Sequence, residues 1–221
     1  MRVSSVKRLG QVPFPSFTGE RVYMQHFTKT GGLPSNLARW QDTVDAMLGD
    51  IECAGPIYLM IDQAFVAAGV PNRRPGLHVD GRWCATAGAH RHSMDEQHYS
   101  TEDELASPQG IILASSHLGC RAFTGEYSGS PKDDGDCSHI TTYGLDVVDL
   151  EPGYAWVGDS MRMLHESIPL SMAVSRTVVR LNVSGWDEDF LRAGEVFDRR
   201  TLPRCSTVEH LAFEDAIKSA T

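Results

Sequence analysis

His78 and Asp80 stand two residues apart, His165 follows far downstream, and Arg176 and Arg180 come soon after it. Two imidazoles and one carboxylate are the ligand set that holds non-haem Fe(II) on one face and leaves positions open for substrate and oxygen. The spacing carries the argument. In an extended chain, residues i and i+2 project from the same face about 7 Å apart, so His78 and Asp80 can converge on one ion while Val79 points away. The run Gly76-Leu77-His78-Val79-Asp80-Gly81-Arg82-Trp83 puts the pair at a strand end, with Gly81 able to bend the chain. A third ligand must come from another strand, and His165 lies just after the turn-rich Gly158-Asp159-Ser160. A guanidinium is a planar fork that matches a carboxylate, so an arginine on the interior face beside the metal could clamp the far end of a dicarboxylate.

The element that would carry this arginine alternates cleanly. Across 176–183, Thr177, Val179, Leu181 and Val183 share one face, and Arg176, Val178, Arg180 and Asn182 share the other. Periodicity alone leaves a plainer alternative, in which the apolar face fills the core and both arginines look into water. Eight short apolar or alternating runs broken by Gly, Pro, Asp and Ser fall at 57–65, 77–83, 110–115, 120–127, 144–150, 154–158, 161–167 and 176–184. They predict a jelly roll, a mainly β, cupin-like fold with an interior able to hold a metal. Flanking helices are expected at about 35–48, with Leu37, Trp40, Val44 and Met47 on one stripe and Gly49 as the stop, and at about 207–219, opened by a Ser206-x-x-Glu209 capping box. A single domain over 1–221 is expected, with its jelly-roll core at about 57–184. The long irregular segments 85–107 and 128–142 are expected to rim the site.

Composition narrows the partners. A net charge of -9 and a pI near 5.4 argue against a phosphate-attracting surface, which disfavours nucleic acid. The five cysteines are dispersed, odd in number and without a Cys-x-x-Cys pair, which suits free thiols in a reducing, cytoplasmic setting. Cys84 and Cys120 read as inert buried thiols. No run reaches the roughly 18 apolar residues of a membrane span. His90 and His92, joined by His98, His117 or His139, form an alternative all-histidine set of the zinc or cupin kind.

These residues resemble the Fe(II)- and 2-oxoglutarate-dependent dioxygenases of the double-stranded β-helix fold. Their pattern of His-x-Asp, distal His and Arg is written here as His78-Val79-Asp80, His165 and Arg176, and the likeness covers about 57–184. Glu151-Pro152-Gly153, Gly158-Asp159 and His165-Glu166-Ser167-Ile168-Pro169 also look like the approach to and exit from the distal His. The resemblance implies that His78, Asp80 and His165 ligate Fe(II), that 2-oxoglutarate chelates the iron with its 5-carboxylate on Arg176, and that O2 takes the last position. It further implies hydroxylation of a small-molecule or amino-acid C–H bond, with decarboxylation of the co-substrate to succinate. The chain departs from part of the family: Arg176-Thr177-Val178 stands where an Arg-x-Ser is found, so a second hydrogen bond to the 5-carboxylate must come from elsewhere. Arg180, on the same face, is the alternative clamp. His165 to Leu170 followed by Arg176 also looks like the distal motif of enzymes oxidising 5-methylpyrimidines, which would need a basic groove near Arg73, Arg74, Arg82 and Arg91. A third reading is a non-catalytic jelly-roll binding protein.

Overall fold

Polar edge strands open the chain. In the computed structural model, which describes residues 1–49, 51–53, 55–84, 89–91 and 109–184, strands β1 (Arg2–Ser4), β2 (Lys7–Gln11) and β3 (Arg21–Phe27) precede the first helix. Nine strands follow it: β4 (Ile57–Val66), β5 (Arg82–Cys84), β6 (Ala89–Arg91), β7 (Gln109–Ser115), β8 (Cys120–Tyr127), β9 (Asp146–Asp149), β10 (Tyr154–Asp159), β11 (Leu164–Ser167) and β12 (Val174–Ser184). A six-stranded antiparallel sheet runs β2-β10-β7-β12-β4-β3, and a smaller sheet runs β1-β8-β11 with β9 also on β8. Together they form a jelly-roll, double-stranded β-helix architecture.

The strand core reaches further toward the N-terminus than 57–184. β2 and β3 close the two edges of the large sheet, and β1 pairs with the far end of β8. The strand runs after residue 57 otherwise form largely where alternation places them. The exception is the His-x-Asp segment: His78 makes isolated bridges, and regular strand begins only at Arg82.

Two faces of the large sheet are buried for different reasons. Ile57, Leu59, Ile61, Ile112, Ala114, Ala155, Val157, Val179, Leu181 and Val183 form one continuous core with Leu37, Trp40, Val44 and Met47. Those last four come from a 3-10 turn (Ser35–Trp40) that runs directly into helix α1 (Gln41–Leu48), which ends at Gly49 with φ 42°. Left-handed backbone is tolerated at a helix end when the residue has no Cβ. Trp40 is completely buried, and its indole N–H donates to Glu20 Oε2 at 2.9 Å. Trp40→Ala is therefore expected to destabilise the fold by about 3–5 kcal/mol. Urea unfolding would show a lower midpoint at an unchanged slope; an unchanged midpoint would mean that Trp40 contributes little to the core.

The opposite face of the sheet looks inward, toward the small sheet. Leu113 and Trp156 pack there against Ala122, Cys120 and Leu150, and on the neighbouring β12 this face carries Arg176, Val178 and Arg180, the last directly opposite Leu113. The expected helix at 207–219 lies outside the described residues. No helix among the described residues is long and apolar enough to cross a membrane.

Candidate metal centre

His78 and His165 are directly opposed across a two-residue antiparallel bridge. His78 N–H donates to His165 O at 2.9 Å, and His165 N–H donates to His78 O at 3.0 Å. Such an exchanged pair sends both side chains to one face, and the ring centroids stand 4.4 Å apart. The other flank of the same segment is also held: Val79 N–H donates to Gly135 O at 3.0 Å and Cys137 N–H to Leu77 O at 2.9 Å. The 128–142 segment, expected to rim the site, does not line the cavity. It braces the backbone that carries His78, and below it Leu77, Val79, Phe123, Tyr127, Cys137, Ile140 and Leu164 form a separate apolar cluster. Gly81, at φ 74°, then turns the chain, with its N–H on Ser160 O at 2.9 Å.

The side chains of His78, Asp80 and His165 each offer a ligand atom, all within 4.8 Å of one another. Both histidines have the correct nitrogen free. The Nδ1–H of His78 donates to Gly76 O at 2.7 Å and that of His165 to Met163 O at 3.0 Å; a carbonyl only accepts, so Nε2 carries the lone pair in the neutral ring. Holding Nδ1 this way fixes the tautomer of a metal-binding imidazole. Burial, and next the neighbouring His165, push His78 down to about 4, so it is neutral at physiological pH. Burial would raise the Asp80 carboxyl, but the Arg180 guanidinium and His165 outweigh it and hold it well below the usual carboxylate range. Burial would lower His165, but its contacts with Asp80 raise it instead. His165 Nε2 lies 3.4 Å from Asp80 Oδ2. The donor set, its tautomers and its convergence fit a divalent metal ion.

Both arginines face this cavity, which encloses about 230 Å3 and is walled by Met60, Val79, Leu113, Trp156 and Val178, among others. Neither looks into water: Arg176 is 1% exposed and Arg180 4%. Their surroundings differ. Arg180 Nη1 lies 3.0 Å from Asp80 Oδ1. Arg176 donates through Nε to Ser115 Oγ at 2.9 Å, while its Nη1 is buried with no hydrogen-bond partner among the described residues. An orphaned donor of this kind is costly, and a carboxylate is the group that would satisfy it. Gly119 makes room: a Cβ there would come within 2.7 Å of Arg176 Cζ and of Leu170 Cδ2. Gly119→Ala is expected to push the guanidinium aside and weaken binding of a dicarboxylate while leaving metal binding intact. Equal dicarboxylate affinity in the two proteins, by calorimetry, would show that the close approach has no role.

The other candidates divide: Cys120, Arg73 and Arg74 line the same cavity, whereas His117 and His139 do not. His117 Nδ1 lies 3.0 Å from Ser116 Oγ, and His139 Nε2 3.0 Å from Ser130 O, while His92 and His98 lie outside the described residues. Burial pushes the Cys120 thiol up to about 12, which leaves no thiolate at neutral pH. Arg73 pairs with Asp62 at 3.1 Å, a carboxylate it shares with Arg21, and Arg74 pairs with Asp134 at 3.0 Å. The partners of the arginines, Ser115 and Gly119 around Arg176 and Met24 beside Arg180, carry no sequence motif. Alternation in 110–115 could have placed Ser115 on the inner face; nothing marks Met24.

No family model matches the chain, and no curated protein matches it. Among solved structures it is similar to EvdO2 from Micromonospora carbonacea var. aurantiaca, crystallised in complex with 2-oxoglutarate. The identity is 15% and the TM-score 0.34, over 65% of this chain and 56% of that one. The chain thus spans little more than half the length of that neighbour, and a likeness this slight adds nothing to the case from geometry.

Proposed function

We propose that the protein is an Fe(II)- and 2-oxoglutarate-dependent dioxygenase that hydroxylates a C–H bond of a small molecule or an amino-acid side chain. One observation carries the reading: a His, His and carboxylate set, with both Nδ1 atoms held by backbone carbonyls, shares a cavity with a buried arginine that lacks a partner for Nη1. His78, Asp80 and His165 would hold the iron, and Arg176 would receive the 5-carboxylate of 2-oxoglutarate. With O2, that assembly supplies oxidation of an unactivated C–H bond coupled to decarboxylation of the co-substrate to succinate.

The chain's own part is placement and exclusion. Backbone carbonyls orient both imidazoles, Ser115 anchors one edge of Arg176, and Met60, Val178 and Leu113 line the cavity with apolar surface. Arg176 rather than Arg180 is the clamp, because one nitrogen of Arg180 is already committed to Asp80. A small substrate is favoured over nucleic acid by the net charge of -9 and by the pairing of Arg73 and Arg74 with carboxylates.

The decisive experiment is an anaerobic titration with Fe(II) and then 2-oxoglutarate. A visible charge-transfer band from the chelated keto acid is expected. Iron binding without the band would leave a metalloprotein of another kind, and no binding of iron would leave a jelly-roll binding protein.

A further inference from the structure

The two oxygens of Asp80 face different partners. Oδ2 is 3.4 Å from His165 Nε2, and Oδ1 is 3.0 Å from Arg180 Nη1. Arg180 is itself held from behind, with Nη2 3.3 Å from the thioether sulfur of Met24. A thioether is a weak acceptor and an uncommon seat for a guanidinium. Met24 reaches it from backbone that does not form by default. At φ 51° it is, among the described residues, the non-glycine residue in the left-handed region, and it stands where β3 slips register against β4 between Val22 and Gln25. A bulge of this kind re-aims a side chain, and such conformations persist where the surroundings over-determine them. Here the surroundings are Tyr58, Met60, Trp83 and Val178, which bury Met24 beside the site.

We propose that Arg180, seated by Met24, is a positioning residue that occupies Oδ1 of Asp80 and leaves a metal only Oδ2. The inference rests on the metal-binding reading above. A carboxylate that binds through one oxygen leaves three positions of an octahedral ion free beside two histidines, enough for a chelating keto acid and oxygen. A carboxylate free to use both oxygens takes one of those positions. The two arginines of β12 therefore do separate work: Arg176 meets the co-substrate, and Arg180 sets the denticity of a ligand.

The test compares the wild type with Arg180→Met, Arg180→Lys and Met24→Leu. Each is loaded anaerobically with Co(II), whose visible d–d spectrum reports coordination, and then titrated with 2-oxoglutarate, while melting of the metal-free proteins checks the fold. Arg180→Met is expected to alter the d–d band and to weaken 2-oxoglutarate binding about 10- to 100-fold, the scale found for partners of metal ligands. Arg180→Lys, which restores the cation with a single donor, recovers part of the loss. Met24→Leu keeps the volume, removes the acceptor and moves the band the same way by less. Should Arg180→Met fail to fold, the other two variants carry the test. Spectra of Arg180→Lys and Met24→Leu that superimpose on the wild type overturn the proposal. So does loss of 2-oxoglutarate binding in Arg180→Lys with an unaltered Co(II) band, which makes Arg180 a ligand of the co-substrate. A wild type that binds no Co(II) overturns the metal-centre reading itself.

Discussion

Asp80→Ala is expected to remove metal binding and a larger part of the protein's stability than His165→Ala, which also removes metal binding. The two substitutions delete one ligand each, so neither variant should give the charge-transfer band or turnover above background. They differ in what they leave behind. His165→Ala keeps the backbone bonds that join positions 78 and 165, because those use main-chain atoms only. Asp80→Ala takes from Arg180, 4% exposed, the carboxylate 3.0 Å away. Breaking a buried pair by removing one partner costs about 3–5 kcal/mol, which for a chain of this size lowers the melting temperature by about 6–20 °C. Asp80→Asn, which can still accept from Arg180, should fall between the two. Thermal melts of the metal-free variants decide the matter. If Asp80→Ala melts with His165→Ala, the pair adds little to the folded state.

Arg176→Lys is expected to bind iron normally and 2-oxoglutarate poorly. Lysine keeps the charge but loses the planar fork and the Nε donor to Ser115. Loss of one charged hydrogen bond is worth about 1.5–3 kcal/mol, or about 10- to 150-fold in affinity. The measurement is the keto-acid concentration at half-saturation of the band. A silent Arg176→Lys together with a damaging Arg180→Lys would transfer the clamp to Arg180.

The legible parts of this chain were those where burial writes a period into the sequence. β12 alternates and β4 and β7 read as continuous apolar runs because both faces of this sheet are buried, one on α1 and one on the cavity side, and the apolar stripe of Leu37, Trp40, Val44 and Met47 marks a helix for the same reason. The stripe does not reveal that its first half winds as a 3-10 turn. Edge strands were not legible. β2, Lys7–Gln11, is largely exposed and carries Lys, Arg, Gly and Gln, and β3 is broken by the bulge at Met24, so neither keeps a period. Around the site, the types and order of His78, Asp80, His165 and Arg176 alone point to chemistry. What the two arginines of β12 do was not readable, because alternation places both on one face and is silent about whether that face meets water, a carboxylate or a void. Their difference comes from Asp80, Met24, Ser115 and Gly119, which lie far apart along the chain.

The segment 77–79 is clamped on both flanks by main-chain hydrogen bonds, to His165 on one side and to Gly135 and Cys137 on the other. Main-chain bonds are indifferent to side-chain identity, so where positions 78 and 165 point is decoupled from which donor atoms they present. The fold is in that sense a chassis with exchangeable fittings. Cysteine or carboxylate installed at those two positions would inherit the same convergence, and a centre of different metal preference could be built there without redesigning the barrel around it.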